Sequence, residues 1–419
     1  MNRKRTRSSL LSLLAVFALV AAACGDTADD TTTTAGGTTG APTTTAPEAA
    51  TTPFKLGLLT DVSSAFTPWG NHVRDGMRLA VAELNAAGWD IELVEADTQN
   101  DGEAAKAALE RLLDAGVVAV GGIISSGVAA EVNPLAEELG VPLFLVKAGS
   151  HAPPVLNLDS RYTFRTCLPA APMVAGPVLQ YAQEAGMTKV GGFVADYAWG
   201  QAVNDALVAE FEGSGIELQV EVSPVAPGDQ TTYLRALADF GAELIAATGH
   251  PPALVRGEII GPAADFLDVP ILGSWVPFEF AVGADPEAAI GRYADYTCAD
   301  YLGAEYADLA ARYLAASDNI FMADDAVAGY GITLMVADAV AAVGTDRTEI
   351  AEYLHTQSYD LPGYAHPVSW TEWGELASAA PIIYLVDEGP APAGLLKEGD
   401  WWLTELSRSN PLEPYVPGS

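Results

Sequence analysis

The chain has 419 residues, half of them hydrophobic and only 8% aromatic, and its 55 acidic against 20 basic residues give a formal charge of −35. That length suffices for two domains with cores built largely of Ala, Val and Leu. The charge excludes nucleic acid as a partner, because such a surface repels phosphates with no basic patch to offset it, and it favours a soluble monomer in a salty or extracellular setting.

Arg3, Lys4, Arg5 and Arg7 precede a largely apolar run from Leu10 to Val20, and Ala21-Ala22-Ala23 lead into Cys24. Residues 1–23 therefore read as an export signal, too short and wrongly flanked for a spanning helix. Small residues directly before a Cys resemble the lipobox of bacterial lipoproteins. The resemblance implies that Cys24 is lipidated and anchors the mature chain to the outer face of the bacterial cell membrane; ordinary cleavage beside a spare Cys is the alternative. Residues 24–53 are mostly Thr, Ala, Gly and Pro, with no aromatic side chain. They bury too little surface to offset their ordering entropy and are expected to form a disordered tether. No later segment has 18 uninterrupted apolar residues, which leaves the lipid as the expected membrane attachment.

From Phe54 the chain alternates strands and helices. KLGLL reads as a buried parallel strand. The loop TDVSSAFTPWG carries Trp69, placed either to touch a ligand or to cover the end of the sheet. Asn71 to Ala87 has helical spacing and stops at Gly88. IELVEA and a helix from Glu103 to Ala115 follow. An apolar run (Val117 to Ile124) then stops at Ser125-Ser126, a helix reaches Leu139, and a second run (Val141 to Val146) stops at Ala148-Gly149-Ser150. Ligands of open parallel sheets lie beyond the carboxyl ends of strands, where helix N-termini offer unpaired N–H groups. Ser126 and Ser150 are thus a seat for an anionic group, or equally the N-caps of their helices. Strict alternation predicts an α/β fold with a doubly wound parallel sheet.

The pattern breaks at RYTFRTCLPAAP, residues 161–172, and resumes with strands at 190–195, 216–225, 242–248 and 269–274. A second parallel sheet implies a second lobe. The helical stretch from Asp300 to Ala342 reads as a return to the first lobe, and the extended YDLPGYAHPVSW (359–370) as one more crossing. The expected division is an N-terminal lobe of 54–166 plus 299–362 and a C-terminal lobe of 167–298 plus 363–419. Three crossings make a hinge with a cleft, where small ligands bind.

The order of KLGLLTDVSSAFTPWG, GGIISSGVAAEVNPLAEELGVPLFLVKAGS, YTFRTC, DYAWGQAVNDAL and VSWTEWGEL resembles the type I solute-binding proteins of ABC importers, most closely their leucine/isoleucine/valine-binding branch. The resemblance spans Phe54 to Glu388. It implies two lobes joined by a three-strand hinge and a lipid-anchored protein that captures a small solute and delivers it to an ABC permease. The implied solute is an amino acid, branched-chain or aromatic, or a related carboxylate or amide. Carried over, the ligand contacts are Trp69, Ser126, Ala148, Ser150, Trp199 and His250.

One position departs from the family. Where the family has an acidic residue for the ligand's ammonium group, this chain reads GSWVPFEF and places Trp275. Either Glu279 or Asp196 supplies the charge instead, or the ligand has no amine; three tryptophans around one cleft favour a flat ligand or a cation held by ring faces. Cys167 and Cys298 fall on the first two proposed crossings, and an exported chain implies that they form a disulfide. No HExxH, GxSxG, P-loop or strand-linked GxGxxG motif is present, so no catalytic residue, metal or cofactor is expected. A ligand-sensing subunit for a separate signalling receptor is the alternative function.

Overall fold

The structure is a computed structural model that describes residues 52–418. Cys24, the export signal and nearly all of the tether lie outside the described residues. The first lobe opens with β1 (Phe54–Thr60), α1 (Thr67–Ala86), β2 (Ile91–Asp97), α2 (Gly102–Asp114), β3 (Val117–Ile123), α3 (Ser126–Leu139), β4 (Leu143–Leu145) and β5 (Thr163–Arg165). These strands pair in the order β2-β1-β3-β4-β5, every neighbour parallel. Buried on both faces, β3 reads as an unbroken apolar run.

Helix α1 starts at Thr67, ahead of the Asn71 that its apolar spacing suggests. Pro68 suits the first turn, where its missing N–H is no loss. Gly70 lets the turn close onto β1, since a Cβ there would overlap the Asp61 carbonyl. Trp69 consequently stands in the first helical turn and not on a loop.

The second lobe follows with α4 (Ala171–Glu184), β6 (Lys189–Ala195), α5 (Ala198–Phe211), β7 (Glu217–Ser223), α6 (Thr231–Phe240), β8 (Leu244–Gly249), the short α7 (Pro251–Val255) and α8 (Ile260–Ala264), β9 (Ile271–Leu272), α9 (Phe278–Ala284), α10 (Pro286–Ala289) and β10 (Tyr293–Thr297). Helices α11 (Ala304–Ala316), α12 (Asp324–Val343) and α13 (Arg347–His355) then return to the first sheet, with α12 packed on α1 and β3. Among the described residues α12 alone is long and apolar enough to cross a membrane, with a mean hydropathy of 1.8, but 72% of that stretch is buried inside the fold. A hairpin of β11 (Ser358–Tyr359) and β12 (Val368–Ser369) leads to β13 (Ile382–Glu388) and β14 (Trp401–Arg408). The second sheet runs β14-β13-β10-β9-β8-β6-β7. Its last two strands are antiparallel, so it is mixed where the sequence pattern suggests a purely parallel sheet.

The first two passages between the sheets hold Cys167, just after β5, and Cys298, just after β10; their sulfurs are bonded, with the Cα atoms 5.3 Å apart. The third passage comes later than residue 363. Trp370 packs edge-on against Phe164 at 5.1 Å and donates its indole N–H to the Arg165 carbonyl at 2.6 Å. Glu375 lies 2.9 Å from Arg165 Nε, both side chains fully buried. These contacts keep the chain beside β5 to Glu375, and the expected boundary at 362/363 is corrected to the stretch between Glu375 and Ile382.

Candidate functional site

Two Trp-Gly pairs build the site. Trp69-Gly70 opens α1 above β1, and Trp199-Gly200 opens α5 above β6. A Cβ at Gly200 would overlap the Ala195 carbonyl just as one at Gly70 would overlap that of Asp61. In each lobe, then, a glycine lets the helix start touch the strand end, and the preceding indole stands at the cleft.

The two indoles are seated by the opposite or own lobe in different ways. Trp69 Nε1 donates to the Trp275 carbonyl on the second lobe at 2.8 Å. Trp199 Nε1 donates to the Thr248 carbonyl of its own lobe at 3.0 Å, while its ring lies where a Cβ of Gly149 on the first lobe would fall. Trp275 stacks on Tyr296, centroids 4.9 Å apart and planes 14° from parallel.

Trp275 carries a strained backbone, with φ +53°. A left-handed conformation at a bulky residue costs about 1 kcal/mol or more and persists only when its surroundings hold it. Asp295 on β10 does so: its two carboxylate oxygens accept the Trp275 N–H at 2.6 Å and the Val276 N–H at 2.9 Å, and the Tyr293 hydroxyl donates to it as well. Full burial pushes the Asp295 carboxyl up to about 8, against the pull of these donors.

Between the lobes lies a cavity of ≈ 30 Å³ walled by Phe66, Trp69, Trp199, Trp275, Ser126 and Lys147, among others. Pockets for drug-sized ligands span roughly 300–1,000 Å³, so a solute can enter only as the lobes part. The three indoles are 3, 4 and 1% exposed and nearly fill the gap.

Of the residues singled out from the sequence, Trp69, Ser126, Trp199 and Trp275 line this cavity, and Ala148, Ser150 and His250 do not. Arg165 turns the loop after β4 away: its guanidinium donates to the Ala148 carbonyl and, at 2.7 Å, to the Ser150 carbonyl. The Ser150 N–H donates to Ser126 Oγ at 3.1 Å. Neither Ser125, at the N-cap of α3, nor Ser126 makes a side-chain cap bond, so capping does not explain Ser126, whereas Ser150 Oγ accepts the Ala152 N–H at 3.3 Å in a local turn. His250 lies behind the wall, stacked on Phe193 at 5.4 Å, and its Nδ1 accepts the Ala253 N–H as the cap of α7. Burial and the Arg256 charge bring its pKa down to about 4, so it is a neutral core histidine; its neighbour Pro251 reaches the cavity instead.

Neither proposed substitute for the missing carboxylate is at the wall. Asp196 accepts from Gln201 at 2.9 Å near the surface, and Glu279 is engaged 2.5 Å from His72. Sequence reasoning missed Lys147, whose signal was a lone charge at the end of a buried strand. Its Nζ lies 2.9 Å from Asp324 and 3.7 Å from Asp325 at the start of α12, and 6.0 Å from the Trp275 ring centre. Ser125, Tyr197 and Ser274, each within two residues of Ser126, Trp199 or Trp275 in sequence, are the other polar residues of the wall that were not singled out.

A family model described as periplasmic binding protein matches residues 53–389. The Leu/Ile/Val-binding protein homolog 3 of Brucella melitensis biotype 1 is 26% identical over 211 residues, 48% of this chain; the chain spans only 56% of that relative's length. Among solved structures, a branched-chain amino acid ABC transporter periplasmic ligand-binding protein from Burkholderia xenovorans LB400 is similar with a TM-score of 0.73 and 21% identity, covering 85% of this chain and 96% of its own. An ABC transporter solute-binding protein from R. palustris in complex with benzoate is similar with a TM-score of 0.72 and 19% identity, covering 87% and 99%. At these identities the structures show a shared fold.

Proposed function

The chain belongs to the periplasmic binding protein family, and from that premise we propose that it captures a small organic solute between its lobes and delivers it to an ABC permease. The observation that carries the reading is the pairing of Trp69 and Trp199 from opposite lobes over one cavity with Ser126 and Lys147 in its wall. Aromatic faces from both sides enclose an apolar body, and the polar groups fix a head such as a carboxylate or amide. Amino acids and aromatic acids are the candidate solutes, in keeping with the printed names of the similar proteins.

The mechanism is capture by closure. With the lobes apart, solute docks on the first lobe's Ser126 wall; the second lobe then brings in Trp199 and Trp275. Binding shifts the open–closed equilibrium only as far as the solute prefers the closed form, and the closed form is what the permease recognises. The body works outside the cytoplasm as a monomer, held to the membrane by a lipid on Cys24, with the Cys167–Cys298 disulfide formed in the oxidising compartment. The site is a binding site rather than a catalytic one.

Calorimetry against a panel of amino acids and aromatic acids, paired with small-angle scattering, tests this. Binding by a panel member together with a fall in radius of gyration is the expected result. A confirmed ligand that leaves the radius unchanged would remove the closure step.

A further inference from the structure

We infer that the cleft takes a carboxylate without an ammonium group, and that the Trp275 indole N–H and the Ser274 hydroxyl on the second lobe hold its oxygen atoms. This rests on the cleft being the solute site. Trp275 and Ser274 are 1 and 4% exposed, both line the cavity, and neither Trp275 Nε1 nor Ser274 Oγ has a hydrogen-bond partner. Buried donors left unpaired are costly, so a solute oxygen placed there is favoured. The stack on Tyr296 fixes the indole plane before the solute arrives, which spares the ordering cost of a loose donor.

The rest of the wall has the same polarity. Ser126 Oγ already accepts from the Ser150 N–H, leaving its own proton to donate. The first-turn amides of α3 have no partner within the helix, and Lys147 is a cation. Among the described residues that line the cavity none is acidic. Of the carboxylates nearby, Asp295 is held by the Trp275 and Val276 amides, Asp324 by Lys147 and Glu279 by His72; Asp325, 3.7 Å from Lys147 Nζ, has no hydrogen-bond partner but does not line the cavity. An ammonium group brought into this wall would meet side-chain donors and the Lys147 ammonium and no carboxylate among the lining side chains, so its lost hydration would be poorly compensated.

The test is calorimetry on the full-length chain with matched pairs that differ only in the amine: 3-phenylpropanoate against phenylalanine, and 4-methylpentanoate against leucine. In parallel, the solute released from purified protein by denaturation is identified by mass spectrometry. Each acid is expected to bind at least about tenfold more tightly than its amino acid, as one lost charge pairing predicts. Trp275→Phe, which keeps the ring and removes the N–H, is expected to weaken 3-phenylpropanoate about tenfold, with Ser274→Ala as the second variant should the first fail to fold. Tighter binding of the amino acids, an amine-bearing released solute, or unchanged affinity in both variants overturns the inference and leaves solute capture standing. No binding by any of the four probes together with no released solute overturns both. If the probes fail but the released solute is an amine-free acid, the inference holds.

Discussion

His72 on the first lobe and Glu279 on the second meet at 2.5 Å, Nε2 to Oε1, with side chains 0 and 6% exposed. The other ring nitrogen of His72 lies 2.9 Å from the Tyr313 hydroxyl. The pair joins α1 to α9, so it exists only while the lobes are together.

Burial opposes a charge on His72, but the Glu279 carboxylate, with Asp325 and Asp75 farther off, holds its pKa above the ordinary 6.5. A histidine pKa raised by folding contributes stability that is full below the unfolded value and is lost as pH rises through the folded one. Asp295 acts in the same sense: with a folded pKa of about 8 against an ordinary 3.8, it loses stability across that interval as pH rises. The thermal midpoint is therefore expected to fall as pH rises from about 6.5 to about 8, where both groups contribute. Glu279→Gln should bring the His72 pKa, read by NMR titration of the imidazole, down to or below its ordinary value and destabilise the closed form by on the order of 3 kcal/mol.

Removing the carboxylate beneath the strained tryptophan should be severe. Asp295→Ala leaves the buried Trp275 and Val276 N–H groups without acceptors, each worth about 1–3 kcal/mol. Urea unfolding should show a loss of about 2–5 kcal/mol, with the unfolding slope unchanged.

The glycine after each cleft tryptophan sets how closely its helix approaches the strand. Gly200→Ala drives a methyl into the Ala195 carbonyl and is expected to cost about 1–3 kcal/mol while shifting Trp199 and weakening solute binding. Gly283→Ala, in α9 with nothing within 4 Å of the added Cβ, is the control and should leave stability the same or slightly higher. Equal losses in the two variants, by calorimetric melting, would refute the packing account.

The bond between Cys167 and Cys298 closes a loop with a sequence separation of 131. Replacing either by Ser should cost about 2–5 kcal/mol in chemical denaturation. Thiol titration of unfolded, unreduced wild type should find neither sulfur reactive.

Much of the architecture was legible because parallel α/β order writes itself as apolar runs alternating with helical spacing. The wall residues Trp69, Ser126, Trp199 and Trp275 stood at the ends of those runs, where the topology puts ligands. What stayed hidden depends on partners far off in the chain. Lys147 is fixed by Asp324, 177 residues later, and Ala148 and Ser150 are turned aside by the buried guanidinium of Arg165. His250 followed a strand end as the others did, but the Phe193 ring behind it offered a packing place that local sequence does not reveal. The late third crossing, too, hangs on Glu375 finding Arg165.

The tail gains a purpose from its pairing. β14 lies against β13 along its full length, from Ile382 beside Arg408 to Glu388 beside Trp401, although the family match stops at residue 389. A shortened version ending there would lay bare the outer edge of IIYLVDE, whose other edge stays paired with β10, a largely apolar edge strand ready to recruit its own kind. Such a truncation should come out of the cell as clumps, however intact its cleft.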